Sequence, residues 1–432
     1  MKKKILIVVP YIPYPLNSGG KIAQYTFIER MRFFFDITII FTYKIEEIDH
    51  VKTLSEKWND VIIEPYLLKE TKSKKIISIL YNFKAIILRI LGIIILYPKN
   101  KTYLDRLLIK NSTLFRSKYY SLSIDYINHF KNLVENSDFD FVQIEFHQLI
   151  SFVKYIPNHI KTIYVDHELR FIREERELKL LSFNSPFLRY IYKINKEYEI
   201  NYLNKYKLVC VLSENDQRII NNYILEGKIY NSPIALFYQT EDTLIKADNF
   251  IFKNDLVFLG GENHFPNNEG LNWFLQNCWN SLKSQFPNLK LKIVGEWSAQ
   301  TSYKLTSIYV DIEFLGFLDE IKTQLKNSVF IIPIRIGSGV RIKIIDAINI
   351  GAPFVSTTIG LEGLEFRNSF DCLVSDHPSE FCSHIADIIL NPSLGMELIN
   401  NSKNTLRNKY NFDVLIQKRI SMYSDQNFLH LK

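Results

Sequence analysis

The stretch from Val329 to Gly363, VFIIPIRIGSGVRIKIIDAINIGAPFVSTTIGLEG, constrains this chain more than any other. Its first residues, VFIIPI, are an apolar run with several β-branched side chains and read as a buried strand. Gly337 and Gly339 follow at once and permit backbone angles that other residues avoid, so a sharp turn is expected. From Val340 to Ile350 the apolar residues Ile344, Ile345 and Ile348 fall at helical spacing, and Gly351 with Pro353 supplies a stop signal. A second apolar strand then begins. Strand, glycine turn, helix and strand in this order are the grammar of an α/β protein.

Two cations occupy the start of that helix. Arg341 and Lys343 fall in its first turn, where the macrodipole is positive and each mismatch costs about 0.3–1 kcal/mol. An anion offsets that cost, and a helix N-terminus with free N–H groups beside two cations suits a diphosphate. At about 100° per residue, Lys343 and Asp346 lie roughly 60° apart on one face, so phosphate and ribose contacts can come from one surface. Arg341 is about 200° from Lys343 and reaches the same ligand only if it still belongs to the turn. The alternative for Lys343 and Asp346 is an exposed helix pair worth a few tenths of a kcal/mol.

The segment PIRIGSGVRIKIIDAINIGAPFVSTTIGLEGL resembles the donor-binding core of the glycosyltransferase family 4 enzymes, the retaining group 1 transferases with the GT-B fold. The resemblance implies an α/β architecture of two Rossmann-like domains facing each other across a cleft, with a C-terminal helix crossing back to the first. Family members commonly carry a pair of glutamates in this segment, the second gripping the ribose hydroxyls. Ser338 stands at the first position and Asp346 at the second. The resemblance assigns Gly337, Ser338, Gly339 and Asp346 to donor binding, and Arg341 and Lys343 to catalysis through the charge on the departing diphosphate.

Other segments agree. After the strand-like DLVFLG come Gly260 and Gly261, then a helix in which Leu271, Phe274, Leu275, Cys278, Trp279 and Leu282 keep helical periodicity, then the strand LKLKIVGE. This order is similar to the first βαβ unit of the family's donor domain, including the pair Pro266 and Asn267. Gly261, His264 and Asn267 are placed at the donor on that basis, with loop capping as the alternative for the last two. Gly316 and Phe317 end a further strand where the family contacts the nucleotide base, with core packing the alternative for Phe317. Near the N-terminus, KILIVVPYIPYPLNSGGKIAQYTFIERM gives a strand, a proline-rich loop and a helix. Ser18, Gly19 and Gly20 resemble the family's first loop, which approaches the donor phosphates.

Two strands of the first half end in polar groups: FDFVQIEFHQ in Glu145 and His147, and KTIYVDHELR in Asp166 and His167. Ligands of open α/β sheets lie beyond such carboxyl ends. The family often places a histidine or an acid here, near the transferred sugar and the acceptor hydroxyl. The four side chains are alternatives for that catalytic role, each with a surface or core role as its competitor.

A chain of 432 residues with 47% hydrophobic content suits two domains. The join is expected near Leu236, after KLVCVLS as the last strand of the first domain. That gives residues 1–235 as the acceptor-side domain, 236–410 as the nucleotide-sugar domain and 411–432 as the crossing helix, whose FDVLIQKRISMYS is amphipathic. Positions up to 240 hold 35 basic against 25 acidic residues, and the remainder holds 18 against 21. Residues 66–110 hold ten basic against two acidic around the apolar run AIILRILGIIILY, which is too short to span a bilayer of about 20 residues. Peripheral contact with an anionic membrane is one reading of this segment, and a buried core helix with basic flanks is the other.

The exclusions are equally specific. No nucleic-acid motif accompanies the charge. The lone DxD at Asp138 and Asp140 reads as a turn before a strand, and no metal or other cofactor is expected beyond the nucleotide-diphosphate sugar as substrate. HExxH and GxSxG patterns are absent. Cys210, Cys278, Cys372 and Cys382 form no CxxC pair, which fits a reduced, cytoplasmic setting, including the inner face of the plasma membrane. The apolar run after MKKK is too short for a signal peptide. The expected activity is transfer of a sugar from a nucleotide-diphosphate sugar to a glycan or lipid-linked acceptor, of the hexosyltransferase type, in surface polysaccharide synthesis. The alternatives are a nucleotide-sugar-binding protein with degraded catalysis and a GT-B sugar-nucleotide epimerase.

Overall fold

A computed structural model describes residues 2–16, 19–68, 102–114, 123–225, 227–235, 250–318 and 324–424. Thirteen strands form two parallel sheets, one in each of two compact units. In the first, β1 (Lys4–Val9), β2 (Asp36–Tyr43), β3 (Ile62–Leu67), β4 (Phe141–Glu145), β5 (Lys161–Asp166), β6 (Leu208–Val211) and β7 (Ile229–Asn231) lie in the order β3-β2-β1-β4-β5-β6-β7. In the second, β8 (Asp255–Leu259), β9 (Lys290–Val294), β10 (Ile312–Gly316), β11 (Val329–Ile332), β12 (Phe354–Ser356) and β13 (Leu373–Val374) lie in the order β10-β9-β8-β11-β12-β13. Both orders reverse direction once, between β1 and β4 and between β8 and β11. At such a switch point the flanking loops diverge and leave a crevice beyond the strand ends.

Continuous apolar runs make these strands. β11, VFII, is buried throughout, as a parallel strand covered on both faces must be. The periodic residues Leu271, Phe274, Leu275, Cys278, Trp279 and Leu282 are all buried, and burying each large side chain contributes about 1.5–3 kcal/mol. They lie on a helix, Phe265–Phe274, that continues through a π turn at Leu275–Trp279 into Asn280–Gln285. The inserted turn keeps both halves of the stripe on the core.

Several expectations are revised. The strand KLVCVLS is not the last of its sheet, because Ile229–Asn231 pairs in parallel with β6. Three half-buried residues carry too little apolar pattern to announce a strand. The helix of the glycine segment spans Ile342–Ile350 rather than beginning at Val340, and Arg341 caps it with φ −97° and ψ 89°. Leu236 and most of the basic segment 66–110 lie outside the described residues. The first unit comprises Met1–Leu212, Gln217–Ser232 and Lys418–Lys432, and the second comprises Ser213–Asp216 and Pro233–Gln417. The helix Phe412–Met422 therefore starts in the second unit and ends in the first. Among the described residues no helix is long and apolar enough to cross a membrane.

One contact sets how closely the helix Phe265–Phe274 approaches β11. A Cβ added at Gly270 would stand 2.5 Å from the backbone oxygen of Pro333. Gly270→Ala should therefore lower unfolding free energy by about 1–3 kcal/mol, the cost of overpacking against rigid backbone. Denaturant midpoints compared at equal slope measure this, and an unchanged midpoint would show that the helix is free to retreat.

Candidate functional site

The two glycine loops of the second unit lie at the ends of β8 and β11, on either side of its switch point. Gly260 has φ +152°, and a Cβ there would collide with the Asn267 amide at 2.5 Å. That amide joins the two segments. Its Nδ2 donates to the Gly261 oxygen at 3.1 Å, and its Oδ1 accepts from Lys343 Nζ at 2.7 Å. Asn267 thus acts as a bridge between the first loop and the cation. His264 caps the same helix from its backbone and is exposed.

Gly337 and Gly339 have φ of +115° and +81°, the left-handed region in which a side chain is strained. Their turn is closed by Arg341, whose Nη1 donates to the oxygens of Ser338 at 2.6 Å and Gly339 at 3.2 Å. Arg341 therefore belongs to the turn, which meets the condition for both cations to serve one ligand. Ser338 is buried and offers a backbone oxygen here. Gly363, with φ +85°, closes the segment on itself, since a Cβ there would meet the Gly339 oxygen at 3.1 Å.

Lys343 and Asp346 are not an exposed surface pair. Burial first, and the Arg341 charge second, push the Lys343 ammonium down to about 7 against the opposing pull of Asp346. Its Nζ lies 5.3 Å from the centre of the Phe258 ring, a cation–π placement. Burial likewise pushes the Asp346 carboxyl up to about 6, with Lys343 opposing. A half-buried ammonium whose direct partner is a neutral amide is a site where an added anion would regain lost solvation.

Glu269 and Arg335 were not singled out from the sequence. The Glu269 carboxylate lies 3.2 Å from Arg335 Nε, and the guanidinium carbon sits 5.5 Å from the centre of the Trp273 ring. Burial pushes Glu269 up to about 7 despite Arg335. An acid directly before Gly270, inside an apolar helix, was the available signal. Gly316 ends β10 with φ +67°, and Phe317 beyond it is 64% exposed, which removes the core alternative.

In the first unit the polar strand ends separate into distinct arrangements. His167 Nε2 lies 2.8 Å from Glu145 Oε2. Asp166 Oδ1 accepts from the backbone of Glu168 at 3.0 Å in a local turn. His147 Nε2 lies 4.0 Å from Glu199 Oε2, and Glu199 caps the helix Arg170–Lys179 by accepting from the Arg170 and Phe171 amides at 2.9 Å each. Phe146, with φ +68°, stacks on His167 at 4.1 Å between centroids. Its other neighbour, Tyr11, lies 5.2 Å away, and the Tyr11 hydroxyl would meet a Cβ at Gly20 at 2.7 Å. Gly19 and Gly20 open the helix that ends at Met31, and Ser18 lies outside the described residues. Asp140 Oδ2 accepts from the Lys4 amide at 2.8 Å, in the loop that precedes β4.

The sequence model for Glycosyl transferases group 1 matches residues 253–391, which include both glycine loops. Over those residues the chain is similar to the group 1 glycosyltransferases. A curated relative, an uncharacterized 44.6 kDa protein in the cps region of Klebsiella pneumoniae, is 28% identical over 174 residues, 38% of this chain and 45% of that protein. Among solved structures, TarM is 12% identical with a TM-score of 0.66 over 98% of this chain and 99% of its own. Anabaena HepE in complex with UDP and glucose is 11% identical, with a TM-score of 0.61 over 98% and 99%. The sucrose-phosphate synthase of Thermosynechococcus elongatus is 13% identical, with a TM-score of 0.62 over 98% of each chain. These likenesses establish the GT-B fold for the chain.

Lys343 also leaves a stability signature. With a folded value near 7 against an ordinary 10.5, the unfolded chain holds this proton across that interval while the native state has released it, so stability rises with pH there. Lys343→Met should flatten the rise between about pH 7 and 10. Urea unfolding as a function of pH tests this, and parallel profiles would place the ammonium in water.

Proposed function

We propose that this group 1 glycosyltransferase moves a sugar, with retention, from a nucleotide-diphosphate sugar to a glycan or lipid-linked acceptor in surface polysaccharide synthesis. The observation that carries the reading is the half-buried Lys343 ammonium, joined through Asn267 to the Gly260–Gly261 loop, beside Arg341 at a helix start. Backbone N–H groups of the Gly337–Gly339 turn and the helix Ile342–Ile350 would hold the diphosphate with these cations. Asp346, one helical turn along, would take the ribose hydroxyls. HepE in complex with UDP and glucose, and the cps-region relative, support this choice of donor and pathway class.

In the reaction, the bond from the anomeric carbon to the diphosphate oxygen breaks, and its electron pair leaves on that oxygen. The acceptor hydroxyl bonds to the anomeric carbon from the same face, and its proton passes to the departing diphosphate. Negative charge grows on the leaving group in the transition state, so Arg341 and Lys343 stabilise it more than the ground state. On this reading the first unit takes the acceptor. A binding protein without transfer is the rival, favoured by Ser338, which is buried and supplies no carboxylate at the turn.

Arg341→Ala and Lys343→Ala should each lower kcat/KM by about 10²–10³ in sugar transfer from nucleotide donors, as loss of a preorganised charge does. Unchanged kinetics in both would remove the diphosphate assignment, whereas nucleotide binding without turnover in the parent would favour the rival. Because Lys343 titrates near 7 when no anion is bound, nucleoside diphosphate binding at pH 8 should take up a proton. Calorimetry in buffers of different ionisation enthalpy reads that uptake, and Lys343→Met should abolish it.

A further inference from the structure

The Glu145 carboxylate is buried in the first unit and is held by more than His167. Gln143 Nε2 donates to its Oε1 at 2.6 Å, and Gln24 Nε2 reaches its Oε2 at 3.3 Å. Gln143 is itself fully buried on β4, and its Oε1 accepts from the hydroxyl of Tyr423. Tyr423 follows directly on the helix Phe412–Met422, within the stretch that returns to the first unit. Its ring is fixed between Phe35 at 5.0 Å and Phe141 at 5.4 Å. A fourfold chain therefore runs from the C-terminal segment to the end of β5.

Donor and acceptor chemistry orients every link. Burial acts to raise the Glu145 carboxyl, but the hydrogen bond from His167, the charge of Arg419 and the Gln24 amide act against it, and it lies below the usual carboxylate range. An ionised carboxylate only accepts, so Gln143 must turn its NH₂ toward Glu145 and its oxygen toward Tyr423, which must donate. By the same rule His167 Nε2 carries a proton. Its Nδ1 has no partner among the described residues, and stacking on Phe146 fixes the ring plane. Phe146 holds a left-handed backbone, φ +68°, that costs about 1–3 kcal/mol in a non-glycine residue and marks sites where geometry is imposed.

We propose that Tyr423 and Gln143 are positioning residues that, through Glu145, lock His167 as the Nε2–H tautomer and present its Nδ1 lone pair to a hydroxyl of the acceptor sugar. The last clause rests on the reading that the first unit takes the acceptor. The C-terminal segment would then be part of the acceptor machinery.

Long-range ¹H–¹⁵N spectra of the full chain labelled at histidine, with His167 assigned by its loss in His167→Gln, test the lock without substrate. The parent should show a protonated Nε2 and an unprotonated Nδ1. Tyr423→Phe, which keeps the ring packing, and Gln143→Met should mix the tautomers and lower kcat by about tenfold or more, with donor KM unchanged. A parent protonated at Nδ1 overturns the proposal, as do folded variants with the parent spectrum and kcat. Should either variant fail to fold, the parent spectrum and the other variant still decide. A locked tautomer in a chain that transfers no sugar would overturn the acceptor reading and leave the lock standing.

Discussion

The second unit depends on a half-buried ammonium whose hydrogen-bond partner is a neutral amide. Lys343 Nζ is bonded to Asn267 Oδ1, and Asn267 Nδ2 is bonded in turn to Gly261. This one side chain therefore links the loop after β8 to the helix after β11. Removing a cation from water is expensive unless it is paired. The second unit offsets part of that cost through the Asp346 charge and the Phe258 ring.

Parallel sheets explain why that tension sits where it does. Strand order reverses between β8 and β11, so the loops beyond them part and expose backbone N–H groups at a helix start. The first unit repeats the topology, and its reversal between β1 and β4 gathers Tyr11, Gly20, Phe146, Glu145 and His167 at one edge. Its charges are arranged differently. A buried carboxylate ringed by amides and an imidazole stands where the second unit has a half-buried ammonium.

Much of this was legible in the chain. Gly337 and Gly339 announced unusual backbone that the structure confirms, Gly351 ends its helix as a stop signal should, and the stripe from Leu271 to Leu282 lies in the core as its spacing required. Less legible were β7, too short to carry a period, and the π turn, which preserves periodicity while altering hydrogen bonding. Asp166 and His147 resembled His167 in sequence, all being polar residues at strand ends. Their partners separate them: a local turn for Asp166, Glu199 near His147, and Glu145 for His167.

The sequence by itself determined most of the strands, the glycine turns, the helix bearing Lys343 and Asp346, and the α/β class, because torsional freedom and apolar period are properties of neighbouring residues. Only the tertiary structure decided which polar groups meet. Lys343 and Asn267 are 76 positions apart and Tyr423 and Gln143 are 280 apart, distances that no local pattern encodes. Burial decided the charges as well, since Lys343 and Glu269 leave their ordinary ranges chiefly through desolvation. Desolvation comes from everything packed around a group and is fixed only when the chain is folded.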